Sequence, residues 1–252
     1  MKKMKIRAAF IVWVSFFLLV FVLAVKAFSQ DIEICYEENA QVELAVYGGT
    51  RVLIDVYNPD YLIEPVTSND ILLTSHFHDD HFKKAFADGF IGRKLQMEEG
   101  ELKTPDVNVK AIVGSHVTSL APAQIGSNYI FIIDMANMRI VHFGDQEPES
   151  FTTEQLDSLG KVDIAIMLFD VDTTSKYYNM MDKLKPALII PTHLRGGAAK
   201  YSAQKWTSYW LEDKVLELTK DILPDQTSFL FMGMFARGYG KLLKLQQWKP
   251  SR

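Results

Sequence analysis

Three of the six histidines in this 252-residue chain fall within six positions, in Ser75-His76-Phe77-His78-Asp79-Asp80-His81. Imidazole is the commonest metal-binding side chain and takes zinc readily. On a strand-to-loop turn, His76 and His78 point to one side, and Asp80 and His81 fall on the next turn. Four ligands on so short a backbone cannot surround one ion as a tetrahedron. Divided two and two, they seed a pair of ions about 3.5–4 Å apart, and each ion then needs a partner from elsewhere in the chain. The other histidines stand in Gly114-Ser115-His116, His142-Phe143-Gly144-Asp145 and Pro191-Thr192-His193. A fold that serves this set must carry several separated loops to one place.

The intervening segments supply the carriers. Residues 31–60 read as strands: Gln41 to Tyr47 alternates, Gly48-Gly49 turns, and Arg51 to Val56 returns. Asp70 to Thr74 is a short apolar strand that runs into the histidine cluster. Asn108 to Gly114 is a strand leading to His116. Tyr129 to Asp134 and Met138 to Phe143 form a hairpin about Ala136-Asn137, leading to His142 and Asp145. Thr153 to Leu159 is predicted helical, capped by Thr152 or Thr153 and stopped by Gly160. Val162 to Leu168 reads as a buried strand and Tyr177 to Leu184 as a helix ended before Pro186. Ala187 to Ile190 is a strand leading to His193. Tyr201 to Leu218 reads as a longer helix, with Trp206 and Trp210 at i, i+4 on a side facing the core. Ser228 to Met234 is a last strand. Hairpins first, then strands alternating with helices, fit packed sheets with helices outside. No linker rich in Pro, Gly or Ser follows Gln30, so residues 30–252 are expected to form one domain.

His76-Phe77-His78-Asp79-Asp80-His81 resembles the His-x-His-x-Asp-His signature of the metallo-β-lactamase superfamily of metal-dependent hydrolases. The hairpin ending Leu53-Ile54-Asp55, then His116, Phe143-Gly144-Asp145 and Pro191-Thr192-His193 follow in that superfamily's order. The resemblance covers most of the chain after residue 40. It implies an α/β fold, the four-layer αββα sandwich. It also implies that His76, His78 and His116 hold one metal, that Asp80, His81 and His193 hold a second, and that Asp145 bridges both. A hydroxide between the metals would be the nucleophile, with Asp80 also handling its proton. Leu184-Lys185-Pro186 through His193 is most similar to the branch with ascorbate-6-phosphate lactonase-like proteins and N-acyl phosphatidylethanolamine phosphodiesterases. A nitrogen-rich set favours two zinc ions, with manganese or iron as alternatives. Arg195 is a candidate for an anionic substrate group; the plainer reading is a surface arginine. His142 receives no role from the resemblance and reads as a supporting residue. Tyr177 and Tyr178 read as packing residues.

The first residues differ from the rest. Lys2, Lys3, Lys5 and Arg7 precede an apolar run from Ala8 to Val25, broken only by Ser15. A basic head and apolar stretch describe a secretory signal, with cleavage after Ala27 or Ser29. The run is also long enough to span a bilayer, and Lys26 sits where a cationic stop holds a helix, so residues 1–29 have a second reading as a membrane anchor. On either reading everything after Ser29 is exported, to a periplasmic or other extracytoplasmic space. Losing the five basic residues of 1–27 takes the formal charge from −4 to −9. An acidic domain repels polyphosphate, so a nucleic-acid partner is not expected. The single cysteine, Cys35, has no partner for an internal disulfide and reads as a small apolar strand residue.

The expected function is an exported dinuclear hydrolase of a small ester, lactone or phosphodiester. A membrane-associated lipid phosphodiesterase and a non-catalytic metal-binding protein are the alternatives. A true β-lactamase is disfavoured, because Asp145 stands where enzymes of that kind carry a cysteine or serine. The oligomeric state is not legible.

Overall fold

The computed structural model describes residues 31–116, 125–169, 174–193, 204–233 and 236–249. The first strands are β1 (Ile32–Tyr36), β2 (Val42–Val46), β3 (Arg51–Ile54) and β4 (Ile71–Thr74). Helix α1 (Lys84–Gly89) precedes β5 (Arg93–Gln96), β6 (Gly100–Lys103), β7 (Val107–Ser115), β8 (Ile125–Met135) and β9 (Met138–His142). Helix α2 (Thr153–Leu159), β10 (Ile164–Leu168), α3 (Thr174–Leu184) and β11 (Leu188–Thr192) follow. The chain then forms β12 (Thr207–Leu211), β13 (Val215–Leu218), β14 (Ser228–Met232), α4 (Ala236–Leu242) and β15 (Gln246–Gln247).

Two sheets result. The first has the order β13-β1-β2-β3-β4-β5, and the second β15-β12-β14-β11-β10-β9-β8-β7-β6. Strand alternation decides what fills the space between them. Ile32, Ile34, Val42, Leu44, Val52 and Ile54 from the first sheet pack with Val109, Phe131, Ile133, Ile140, Ile166 and Leu230 from the second. The opposite parity serves the outer layers. Leu53 and Leu72 meet Ala87 of α1 and Phe90 just after it, while Val141, Ala165 and Met167 meet Leu159 of α2 and Tyr177 and Met181 of α3. The layers therefore run helix, sheet, sheet, helix, the expected αββα sandwich.

Local signals account for several boundaries. Gly48 at φ 68° turns β2 into β3, and Ala136 and Asn137, at φ 49° and 60°, turn β8 into β9. Thr152 and Gln155 form a reciprocal capping box at the start of α2, which ends at Gly160 in the left-handed region. Helix α3 begins at Thr174, before the expected Tyr177.

The helix expected over Tyr201–Leu218 does not run through the segment: Gln204 and Lys205 are helical, but the chain is extended from Thr207. Thr207–Leu211 and Val215–Leu218 are strands, and they lie in different sheets: β12 pairs with β14 and β15, while β13 pairs antiparallel with β1. Residues 201–203 lie outside the described set. Positions four apart share a face of a strand as well as of a helix, so the Trp206 and Trp210 spacing fits both. Both tryptophans do pack in the outer core of the second sheet, while Tyr209 and Leu211, of opposite parity, face the space between the sheets. Residues 1–30, with the apolar run 8–25, are likewise outside the described set. Among the described residues, no helix is long and apolar enough to cross a membrane.

Candidate metal centre

Strand direction brings the candidate ligands to one end of the sandwich. β9, β10 and β11 are mutually parallel, and β7 reaches the same sense through two antiparallel pairings. Their carboxyl ends lead to His116, to Asp145 and to His193. β4 of the first sheet ends at Thr74, and His76 follows. The turn after β4 is helical, with the His81 and Phe82 amides both donating to the His78 carbonyl at 2.9 Å, which brings His81 back beside His76. Their ring centroids are 3.9 Å apart.

A buried carboxylate orients this turn. Asp55, fully buried at the end of β3, accepts the Ser75 amide at Oδ1 and the Ser75 hydroxyl at Oδ2, both at 2.7 Å. The same Oδ2 stands 2.9 Å from His81 Nδ1. A proton on Nδ1 donates to Asp55 and leaves the His81 Nε2 lone pair facing Asp145. Burial alone would raise the Asp55 carboxyl; the imidazoles around it, His81 foremost, hold it low.

Two groups of potential ligands form, each with its ligand atoms within 4.8 Å of one another: His76, His78, His116 and Asp145, and Asp80, His81 and His193. Asp145 faces both. Its Oδ2 is 3.5 Å from His116 Nε2 and 3.9 Å from His76 Nε2. Its Oδ1 is 3.5 Å from His81 Nε2 and 3.4 Å from His193 Nε2. Two ligands of a tetrahedral zinc lie about 3.4 Å apart, given bonds of about 2.0–2.2 Å. Asp145 Oδ1 is buried without a hydrogen bond of ordinary geometry, so the donor set and its spacing fit metal ions.

Electrostatics agrees with that fit. Burial, then the neighbouring His81, pushes His76 down to about 3, so it stays a neutral ligand at working pH. His78 is lowered as well, by burial and then by His116. Burial works against charge on Asp145, yet contacts from His116, His193 and His81 hold its carboxyl well below the usual range. His81 goes the other way. Burial would lower it, but Asp55 and then Asp145 raise it from 6.5 to about 10. In the metal-free protein this imidazolium balances two buried carboxylates. A raised histidine contributes stability that is complete below its unfolded pKa and is lost as pH climbs through the folded one. Melting curves of the chelator-treated protein are therefore expected to shift downward between about pH 7 and pH 10. With zinc present, the metal replaces the proton and the shift is expected to be much smaller. Equal slopes with and without zinc would count against this assignment.

Asp145 is delivered by a turn that sequence reading did not resolve. Gly144 has φ 54°, and a Cβ there would collide with Asn128 Oδ1 and come within 2.8 Å of Ser75 Cβ, so only glycine fits. The Gly144 amide donates to His142 Nδ1 at 3.2 Å, which gives His142 a supporting place behind the turn. Burial lowers the His142 imidazole and keeps it neutral. Asn128, buried in β8, donates to the Phe143 carbonyl at 2.9 Å and accepts the Asp145 amide at 3.2 Å. Gln146 Oε1 accepts the Ser115 amide at 2.9 Å, tying the loop to the residue before His116. Asp55, Asn128 and Gln146 were not among the expected site residues. Asn128 follows Gly126-Ser127 at the polar start of β8, where its composition gave no signal of burial.

The other expectations sort plainly. Tyr177 is buried and donates its hydroxyl to the Gln146 carbonyl at 2.9 Å, a packing and bracing role. Tyr178 stacks edge-on to Trp206. Arg195 lies outside the described residues. Cys35 is buried but not in a purely apolar setting: with Glu37 and Glu43 it forms a third cluster, on the outer face of β1 and β2. Its thiol donates to Glu37, which pairs with Lys214 at 2.7 Å, while Glu43 pairs with Arg51 at 3.3 Å.

A family model described as the beta-lactamase superfamily domain matches residues 33–193. The chain belongs to this family. Its fold is that of the metallo-β-lactamase superfamily, as solved structures bear out. A Thermotoga maritima protein proposed as a Zn-dependent hydrolase of the superfamily aligns with a TM-score of 0.60 at 19% identity, over 80% of this chain and 98% of that one. A Parabacteroides distasonis protein proposed as a metal-dependent hydrolase gives 0.54 at 16%, over 70% and 89%. The metallo-β-lactamase fold protein YhfI of Bacillus subtilis gives 0.53 at 11%, over 80% and 96%. At such identities these likenesses establish the fold alone. No curated protein matches the chain by sequence.

Proposed function

We propose that the chain is a hydrolase with a two-ion centre, zinc in both places, acting on a small ester, lactone or phosphodiester. One observation carries the reading: the two oxygens of Asp145 face two different imidazole groups, Oδ2 toward His76 and His116 and Oδ1 toward His81 and His193. A carboxylate in that position would serve two cations at once. When bound, such a pair polarises a carbonyl or phosphoryl oxygen and makes water nucleophilic near neutral pH.

The chain's own residues supply the rest. His76, His78 and His116 would hold one ion, and Asp80, His81 and His193 the other. Asp55 and Ser75 fix the His76 and His81 rings, so little reorganisation accompanies the reaction. The Asp80 side chain is 43% exposed, against 13% for Asp145, which leaves an Asp80 oxygen open to take the proton of the attacking water. The stretch Leu184–His193 supports the lactonase and phosphodiesterase branch, and the basic head before the apolar run 8–25 supports action outside the cytoplasm.

A lipid phosphodiesterase is the second reading. The apolar run favours it, as does Phe77, which is 65% exposed between two candidate ligands. One experiment addresses both readings. Metal-replete protein from the extracytoplasmic fraction is expected to carry two zinc ions per chain by elemental analysis. It is also expected to turn over at least one member of a panel of lactones, acyl esters and water-soluble phosphodiesters. Turnover confined to phospholipid vesicles selects the lipid reading. A metal-free protein inert on every substrate sinks both.

A further inference from the structure

We infer that the turn between β1 and β2 is the positioning element for His193, with Tyr36 as the residue that sets it. This rests on the two-ion reading above. His193 is the only described histidine in the left-handed region, at φ 49°, where a side chain is strained. Such a backbone persists only where its surroundings hold it. Its amide donates at 2.9 Å to the carbonyl of Asn39, in the turn of the opposite sheet. Asn39 and Glu38 are themselves left-handed, at φ 45° and 80°, and together they reverse the chain at this turn. The Tyr36 hydroxyl donates to the same carbonyl at 3.0 Å. Tyr36 is 8% exposed, with its ring in the core between the sheets. One carbonyl thus accepts two hydrogen bonds, one from a core-rooted phenol and one from the candidate ligand's backbone.

The clamp bears on one half of the centre. His193 Nε2 lies 2.9 Å from His81 Nε2 and 3.4 Å from Asp145 Oδ1. His76 and His78 leave β4 and His116 leaves β7, and no hydrogen bond among the described residues joins any of these three to the β1–β2 turn. Loosening the turn therefore acts on the ion held by Asp80, His81 and His193 and spares the other. Support of this outer kind is worth about 10–100-fold in metal affinity.

Tyr36→Phe removes only the hydroxyl. Metal-free full-length wild type and variant are titrated with zinc against a chelating indicator, and metal-free melting curves are recorded alongside. Wild type is expected to take up two ions, and Tyr36→Phe to bind one of them at least about tenfold more weakly with the other unchanged. Asn39→Val, which resists the left-handed region, is expected to match Tyr36→Phe, and Asn39→Gly, which accepts it, to match wild type. Two ions in wild type with unaltered or equally weakened affinities in Tyr36→Phe and Asn39→Val overturn the inference alone. A wild type that binds a single ion overturns the two-ion reading and the inference with it.

Discussion

Given the proposed two-ion centre, Asp145→Ala is expected to cost the protein both ions at once. Among the described residues, Asp145 is the side chain that faces both ligand groups, with oxygens 3.4–3.9 Å from four imidazole nitrogens. Its removal takes one ligand from each group and strips the negative charge that balances them. Hydrolysis is expected to fall by more than about 100-fold, beyond the effect of losing an outer-sphere support. Asp145→Asn separates the two functions. The amide keeps one oxygen, so one group retains its ligand and the variant is expected to hold one ion. Elemental analysis after dialysis reads this directly. Two ions in Asp145→Ala would refute the bridging role.

Asp55→Ala is expected to be the most destabilising substitution near the centre. Asp55 is fully buried and accepts from the Ser75 amide, the Ser75 hydroxyl and His81. Truncation leaves those donors unpaired in the interior and takes from the His81 imidazolium one of the two carboxylates that balance it. Breaking a buried pair in this way costs about 3–5 kcal/mol. Urea denaturation of metal-free protein measures it, and a loss under about 1 kcal/mol would contradict the account. Asp55→Asn is informative in another way. Its amide N–H directed at His81 Nδ1 moves the ring proton to Nε2, the atom that faces Asp145. Stability is then partly kept while metal affinity is lost.

That these histidines and aspartates would converge was legible because metal chemistry tolerates few residue types, and six residues from His76 to His81 cannot satisfy one ion alone. The hairpins at Gly48 and at Ala136-Asn137 were legible because left-handed turns need particular residues. The capping box at Thr152 was legible for a similar reason. Thr207–Leu218 was misread because tryptophans four apart satisfy both periodicities, and what decides between them is pairing with β14 and β1, remote in sequence. Asp55, Asn128 and Gln146 escaped for the same physical reason. A buried polar side chain is defined by its partners, and those partners are fixed only once the sheets are assembled. Within the signature itself, spacing did not reveal which nitrogen of each ring faces Asp145, because Ser75 and Asp55 set that.

The passage of the chain from β12 to β13 has a consequence for biogenesis. β1 is the first of the described strands to be synthesised, yet one of its two edges stays bare until residues 215–218 are made. A nascent chain therefore presents Ile32–Tyr36 as an open template for most of its translation. Late closure of the amino-terminal sheet predisposes the half-made polypeptide to self-associate through that edge.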